Sequence, residues 1–134
     1  MQSKLRIGAW AVLLTMLSGC GGPKGVTGGT PGVLTYRGKQ SADIRVTVYR
    51  VDGTASEQIG FGVTANDGTF QLVANEARGP LRLSPGDYCC TLDSAGSPLR
   101  IPREYSKPGS TPLKVSWSAA DKSLDLEVPE ATTQ

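Results

Sequence analysis

The sequence predicts an all-β protein, a seven-stranded antiparallel β-sandwich preceded by a signal-peptide helix and a flexible tether. Three observations predict the sandwich. Beyond residue 20 the apolar residues recur with period two in short runs. Glycine, proline and Asp-Gly breakers separate those runs. No ten-residue window in that part of the chain carries a sustained apolar stripe of helical period, and a weak polar one at 118–122 reads better as a turn. Strand after strand with turn signals between them is the pattern of two packed antiparallel sheets.

The first nineteen residues follow a different pattern. Lys4 and Arg6 precede an apolar run over residues 7–17, which closes on the small residues Ser18 and Gly19 just ahead of Cys20. That is the layout of a secretory signal. A bilayer span needs roughly 20 apolar residues, and the uncharged run stops well short of that, with Gly22, Pro23 and Gly25 directly behind it. Leu17-Ser18-Gly19-Cys20 resembles the lipobox of bacterial lipoproteins. The resemblance implies that the Cys20 thiol is alkylated with diacylglycerol, whose acyl chains include palmitate, and that the chain is then cleaved between Gly19 and Cys20. Small residues let a peptidase reach the backbone, and the thiol is the acceptor. The expected location is extracytoplasmic and membrane-anchored, on the periplasmic face of the outer or inner membrane or at the cell surface. Gly21 and Gly22 supply no acidic residue after the cysteine, which by resemblance to known sorting rules favours the outer membrane.

Residues 20–32 read as the lipidated tether. The stretch GGPKGVTGGTPG has six glycines, two prolines and the single apolar residue Val26, so nothing in it is expected to pack. The folded domain is expected over 33–128 and a short tail over 129–134. Within the domain, Ile44, Val46 and Val48 fall on one side of a strand and Arg45, Thr47 and Tyr49 on the other. Similar runs lie at 32–36, 59–64, 69–73, 87–92, 113–117 and 124–128, which makes seven strands. Asp52-Gly53, Asp67-Gly68, Pro85-Gly86, Gly96 with Pro98, and Pro108-Gly109 punctuate them. The strongest turn is Thr64-Ala65-Asn66-Asp67-Gly68-Thr69-Phe70, read as a hairpin in which the Asp67 carboxylate closes the turn and Gly68 takes positive φ. Strand number and spacing suit an immunoglobulin-like or a transthyretin-like (prealbumin-like) sandwich.

Charge and cysteine content narrow the chemistry. The chain has 14 Lys plus Arg against 12 Asp plus Glu. Removing Lys4 and Arg6 with the signal leaves the mature domain balanced, with no long-range field to gather nucleic acid. No run of Lys or Arg beside Cys20 suggests a polybasic membrane patch. The chain contains no histidine, and its three cysteines are Cys20, Cys89 and Cys90. A disulfide framework, a zinc site and a histidine-based nucleophile are therefore not expected. Cys89 and Cys90 are adjacent on one strand, so their side chains should point to opposite faces. One buried thiol and one more accessible thiol are the expectation, the accessible one open to an intermolecular disulfide.

Two stretches together resemble the signatures of carboxypeptidase regulatory-like domains. The turn from Thr64 to Phe70 is similar to T-d-x-x-G-x-F, and Ser84-Pro85-Gly86-Asp87-Tyr88 is similar to the p-G-x-Y step. A third, Ile101-Pro102-Arg103-Glu104-Tyr105-Ser106 followed by Ser110 to Leu113, resembles the ending common in small bacterial lipoproteins that carry this domain. The resemblance implies a seven-stranded prealbumin-like sandwich, secreted or lipid-anchored, serving as an accessory to binding or folding. Cys89-Cys90 departs from it, since the family places a polar and an apolar residue there. Tyr36-Arg37-Gly38-Lys39 only echoes the Tyr-Arg-Gly-Ser of hydroxyisourate hydrolase, an enzyme of the same fold, and stands at the wrong end of the chain.

No catalytic residues, metal ligands or cofactor are expected. Asp43, Asp52, Asp67, Asp87, Asp93 and Glu104 are available, yet most sit beside turn signals, where short carboxylates cap backbone donors. Asp52, Asn66 and Asp67 form no calcium-loop pattern. Tyr105, between Pro102 and Pro108, is the aromatic singled out for contact with a sugar or a protein, against the alternative that it pins its loop to the sheet. The expected function is a non-catalytic module acting through protein or cell-envelope contacts. Its partners are the membrane, through lipid on Cys20, and an envelope protein or glycan. The alternatives are a carbohydrate-binding module and a hydrolase of unfamiliar type.

Overall fold

The computed structural model describes residues 28–130, so the expected signal helix, Gly19 and Cys20 lie outside the described residues. The strands are β1 (Pro31–Tyr36), β2 (Lys39–Gln40), β3 (Ile44–Asp52), β4 (Ala55–Val63), β5 (Thr69–Gln71), β6 (Val73–Ala74), β7 (Gly86–Ser94), β8 (Lys114–Trp117) and β9 (Leu124–Val128). They form two sheets. One is the antiparallel sheet β6-β4-β3-β7-β8, and the other is built on β1, which pairs with β2, β5 and β9.

Alternation decides which side chains meet between the sheets. Ile44, Val46 and Val48 of β3 are fully buried and join Tyr88, Cys90 and Leu92 of β7. From the other sheet, Leu34 and Tyr36 of β1 and Leu124, Leu126 and Val128 of β9 belong to the same cluster. Each such aliphatic side chain contributes about 1.5–3 kcal/mol when buried. Between Val48 and Tyr49 the register with β4 shifts, leaving Ile59 without a partner, which is a bulge that bends the hairpin.

Four sequence expectations are corrected. First, β1 and β9 run parallel, Gly32 opposite Leu124 through Tyr36 opposite Val128, so the architecture is not wholly antiparallel. Period-two alternation is the same for both pairings and carries no directional information. Second, the described residues hold nine strands, because the run at 69–73 divides and the two-residue β2, which no expected run covers, pairs with the end of β1. β5 pairs with β1, whereas β6 pairs with β4, and Leu72 between them is fully buried as the chain passes from one sheet to the other.

Third, the turn at Asp67-Gly68 is real but joins different sheets, so it is not a hairpin. Gly68 has φ +80° as expected. Asp67 Oδ1 accepts from the Thr69 N–H at 3.1 Å and the Thr69 hydroxyl at 2.6 Å. These bonds, the Thr69 side chain first, hold the Asp67 carboxyl below its ordinary range. Instead of β4, the Gly68 carbonyl meets β1, accepting from the Leu34 N–H at 2.9 Å.

Fourth, the expected tether is packed at its end. Thr30 is buried, its N–H donates to the Leu81 carbonyl at 2.8 Å, and its hydroxyl accepts from the Leu83 N–H at 2.9 Å. The glycines there are sites of close approach. A Cβ on Gly29 would collide with the Leu72 carbonyl, and one on Gly32 would strike Phe70 and the Leu124 carbonyl. The folded region therefore begins before residue 33.

Candidate functional site

The long connection from β7 to β8 shapes both places that the sequence marks out. Tyr36 donates its hydroxyl to the Arg100 carbonyl at 2.8 Å, tying this connection to β1. Leu99 and Ile101 pack against the core, and the 3-10 turn Arg103–Ser106 brings in Tyr105. Tyr105 is only 6% exposed and belongs to the core cluster. This corrects its reading as a contact residue and matches the alternative, a ring that pins its loop to the sheet. Burial, then the charges of Glu104 and Tyr36, pushes its hydroxyl above the ordinary tyrosine range, with Arg37 opposing.

Cys89 and Cys90 do face opposite sides of β7. Cys90 lies in the core, and Cys89 lines a cavity on the outer face of the larger sheet. The expectation of an accessible thiol is nevertheless overturned, because Cys89 is only 2% exposed. Pro108 and Gly109 line the same cavity, and the Cys89 thiol donates to the Pro108 carbonyl at 3.7 Å. The two cysteines are not bonded to each other. Alternation gave the faces, but the cover comes from a loop nineteen residues further along the chain.

The cavity holds about 480 Å³ and opens between the β3–β4 hairpin and β8. Ser56, Asp87, Lys114 and Ser116 supply its polar groups, and Val51 and Val115 its apolar walls. Burial raises the Cys89 thiol above its ordinary value, outweighing the Ser56 hydrogen bond and the Lys114 charge, which lower it. Nucleophilic sulfur chemistry requires the thiolate. In this setting Cys89 is a protonated, weakly nucleophilic floor to a polar recess. Among the described residues, no three Cys, Asp or Glu side chains gather closely enough to hold a metal ion.

Burial pushes the Cys90 thiol up to about 12. The folded state thus favours the neutral thiol, and this contribution is complete below the ordinary thiol value of 9.0 and is lost as pH rises from there through about 12. Urea midpoints on either side of pH 9 should therefore fall on the alkaline side, and Cys90→Ala should flatten that fall. Native protein should resist alkylation at both Cys89 and Cys90, with both labelled after denaturation. Rapid native labelling of Cys89 would show that the Pro108-Gly109 cover does not hold.

A second surface lies further along the outer face. Phe61 stands opposite Thr47, one residue pair from Tyr49, and both rings are half-buried. The Arg45 guanidinium sits 5.2 Å from the Phe61 ring centroid, and Val63, opposite Arg45, is 41% exposed. The alternation of Arg45, Thr47 and Tyr49 marks this as the outer face of β3. Phe61 flanked by Gly60 and Gly62 is the signal for its continuation on β4: a Cβ on Gly60 would collide with the Val73 carbonyl and Leu81 and one on Gly62 with Phe70, so the face opposite Phe61 is closed to side chains.

Comparison of the chain with protein-family models, with curated proteins and with solved structures finds no match.

Proposed function

We propose that this chain is a lipid-anchored, extracytoplasmic β-sandwich of the prealbumin-like or immunoglobulin-like kind, a non-catalytic accessory module that works through protein or cell-envelope contacts. The observation that carries the reading is the junction Leu17-Ser18-Gly19-Cys20, where a short apolar run meets a glycine-rich stretch. A two-sheet domain with one core, beginning close behind that junction, supports it as a rigid body held near a lipid surface. The raised thiol of Cys89 supports a recess that binds rather than reacts. The likeness of 64–70 and 84–88 to carboxypeptidase regulatory-like domains points the same way.

Cys20→Ala tests the anchor. The variant should leave the membrane fraction or accumulate with its signal uncleaved. A correctly cleaved Cys20→Ala protein that still sediments with membranes would overturn the assignment. Crosslinking in intact cells followed by pull-down of the wild-type chain from solubilised membranes should recover an envelope partner.

A glycan-binding reading has one observation in its favour, the neighbouring half-exposed rings of Tyr49 and Phe61 on a single sheet face. Binding to insoluble envelope polysaccharide that disappears in Phe61→Ala, with an unchanged melting midpoint, would favour it over a protein partner.

A further inference from the structure

Two cations far apart in sequence come together where the tether joins the domain. The Gly28 N–H donates to Gln71 Oε1 at 3.2 Å, and the Gly28 carbonyl accepts from Arg82 Nε at 2.9 Å. Lys122, just past the turn at Ser118 to Asp121, lines the same open concavity of about 500 Å³ as Gly28 and Arg82. Both cations are exposed, and among the described residues neither is in an ion pair, the pair found there being Arg78 with Glu76 at 2.8 Å. Asp121 is the acid on this lining. Asp121 is itself exposed, and its Oδ2 closes the turn, accepting from the Ser118 N–H at 2.8 Å and the Ser118 hydroxyl at 3.2 Å.

Chain length limits where this end of the domain sits. Only residues 21–27 separate Cys20 from Gly28. At about 3.5 Å per residue, an acylated Cys20 holds Gly28 within about 28 Å of the lipid, even with the segment fully extended. A balanced domain has no long-range attraction for the membrane, but cations brought within a Debye length, about 8 Å at physiological salt, feel anionic headgroups strongly.

We propose that the domain docks on an anionic lipid surface through this end, with Arg82 and Lys122 facing phosphate headgroups. The orientation rests on the lipid anchor at Cys20. It places the opposite end of β1, where Tyr36 pairs with Lys39, away from the bilayer and free for the partner. No run of basic residues marks the patch in the sequence, because Arg82 and Lys122 reach the same concavity from distant parts of the chain.

The test uses the full chain purified from membranes and reconstituted into vesicles of phosphatidylcholine alone or mixed with phosphatidylglycerol. The rate of amine acylation at each lysine is followed by peptide mass spectrometry, and intact mass reports acylation of Cys20. Lys122 should react about five-fold more slowly on the anionic vesicles, the factor that one cation near such a surface is worth. High salt and Arg82→Glu should each reduce that protection, and Lys39 should react equally on both vesicles. Equal Lys122 rates on the two vesicle types, with Cys20 acylated, overturn the docked orientation and leave the anchor standing. Protection of Lys39 instead of Lys122 overturns it as well. An unacylated Cys20 by intact mass overturns the anchor and, with it, this orientation.

Discussion

Gly68→Val is expected to lower the melting midpoint by more than about 10 °C, because two separate penalties fall on one residue. The first is conformational: Gly68 has φ +80°, and an L-residue in the left-handed region loses about 1–2 kcal/mol, a β-branched one faring worst. The second is steric. A Cβ there would lie 2.7 Å from the Leu34 carbonyl and 3.0 Å from Gln40 Cβ, so it would push against β1 and β2, and overpacking of this kind costs about 1–3 kcal/mol. Gly53 separates the two, since it has φ +64° with nothing within 4 Å of an added Cβ. Gly53→Val should show the first penalty only. Circular dichroism melts of both variants give the comparison, and equal shifts would mean that the contact between Gly68 and β1 contributes nothing.

Local periodicity made the strands legible, and it did so where one face is buried and the other wet. Ile44, Val46 and Val48 on β3, and Leu124, Leu126 and Val128 on β9, alternate cleanly and all lie in the core. What periodicity lacks is a partner. The pattern of β9 is compatible with either direction, and only the three-dimensional arrangement sets it parallel to β1. The turn at Asp67-Gly68 was readable from its chemistry, a carboxylate two residues before a backbone donor and a glycine at positive φ. Which strands the turn joins was not, because a turn looks alike whether the chain returns to its own sheet or crosses to the next.

Glycine misleads in a different way at the start of the domain. Gly29 and Gly32 sit in a stretch whose composition is that of a linker, yet each is glycine because a backbone or a ring occupies the space of a side chain. Composition cannot separate freedom from contact. The two recesses show the same limit. Alternation put one of Cys89 and Cys90 outside the core without saying which, and the cover of Cys89 by Pro108 and Gly109 depends on how a long connection folds back. Arg82 and Lys122 carry no local signature at all and come to line one concavity only in the fold, together with Pro31 at the start of β1.

Tyr105→Ala is expected to destabilise the domain by about 3 kcal/mol, the range for removing a buried aromatic ring, whereas Tyr105→Phe should leave the midpoint nearly unchanged. The ring is 6% exposed and closes the core beside Tyr36, so truncation leaves a void beneath the connection that also carries Leu99, Ile101 and Leu113. Among the described residues, no hydrogen bond engages the Tyr105 hydroxyl, whereas Tyr36 donates to Arg100 and Tyr88 donates to Ser84. Removing the Tyr105 oxygen therefore deletes no bond, and burial already disfavours its ionised form. Tyr36→Phe, in contrast, should cost about 1 kcal/mol, because it leaves the Arg100 carbonyl without that donor. A contact residue would behave in the opposite sense: Tyr105→Ala would melt like wild type and lose its partner in crosslinking. Because Leu113 and the Pro108-Gly109 cover belong to the same connection, Tyr105→Ala should also speed native alkylation of Cys89 while leaving Cys90 protected. That paired readout, a lowered midpoint with selective exposure of one thiol, ties the packing of the connection to the cover over Cys89.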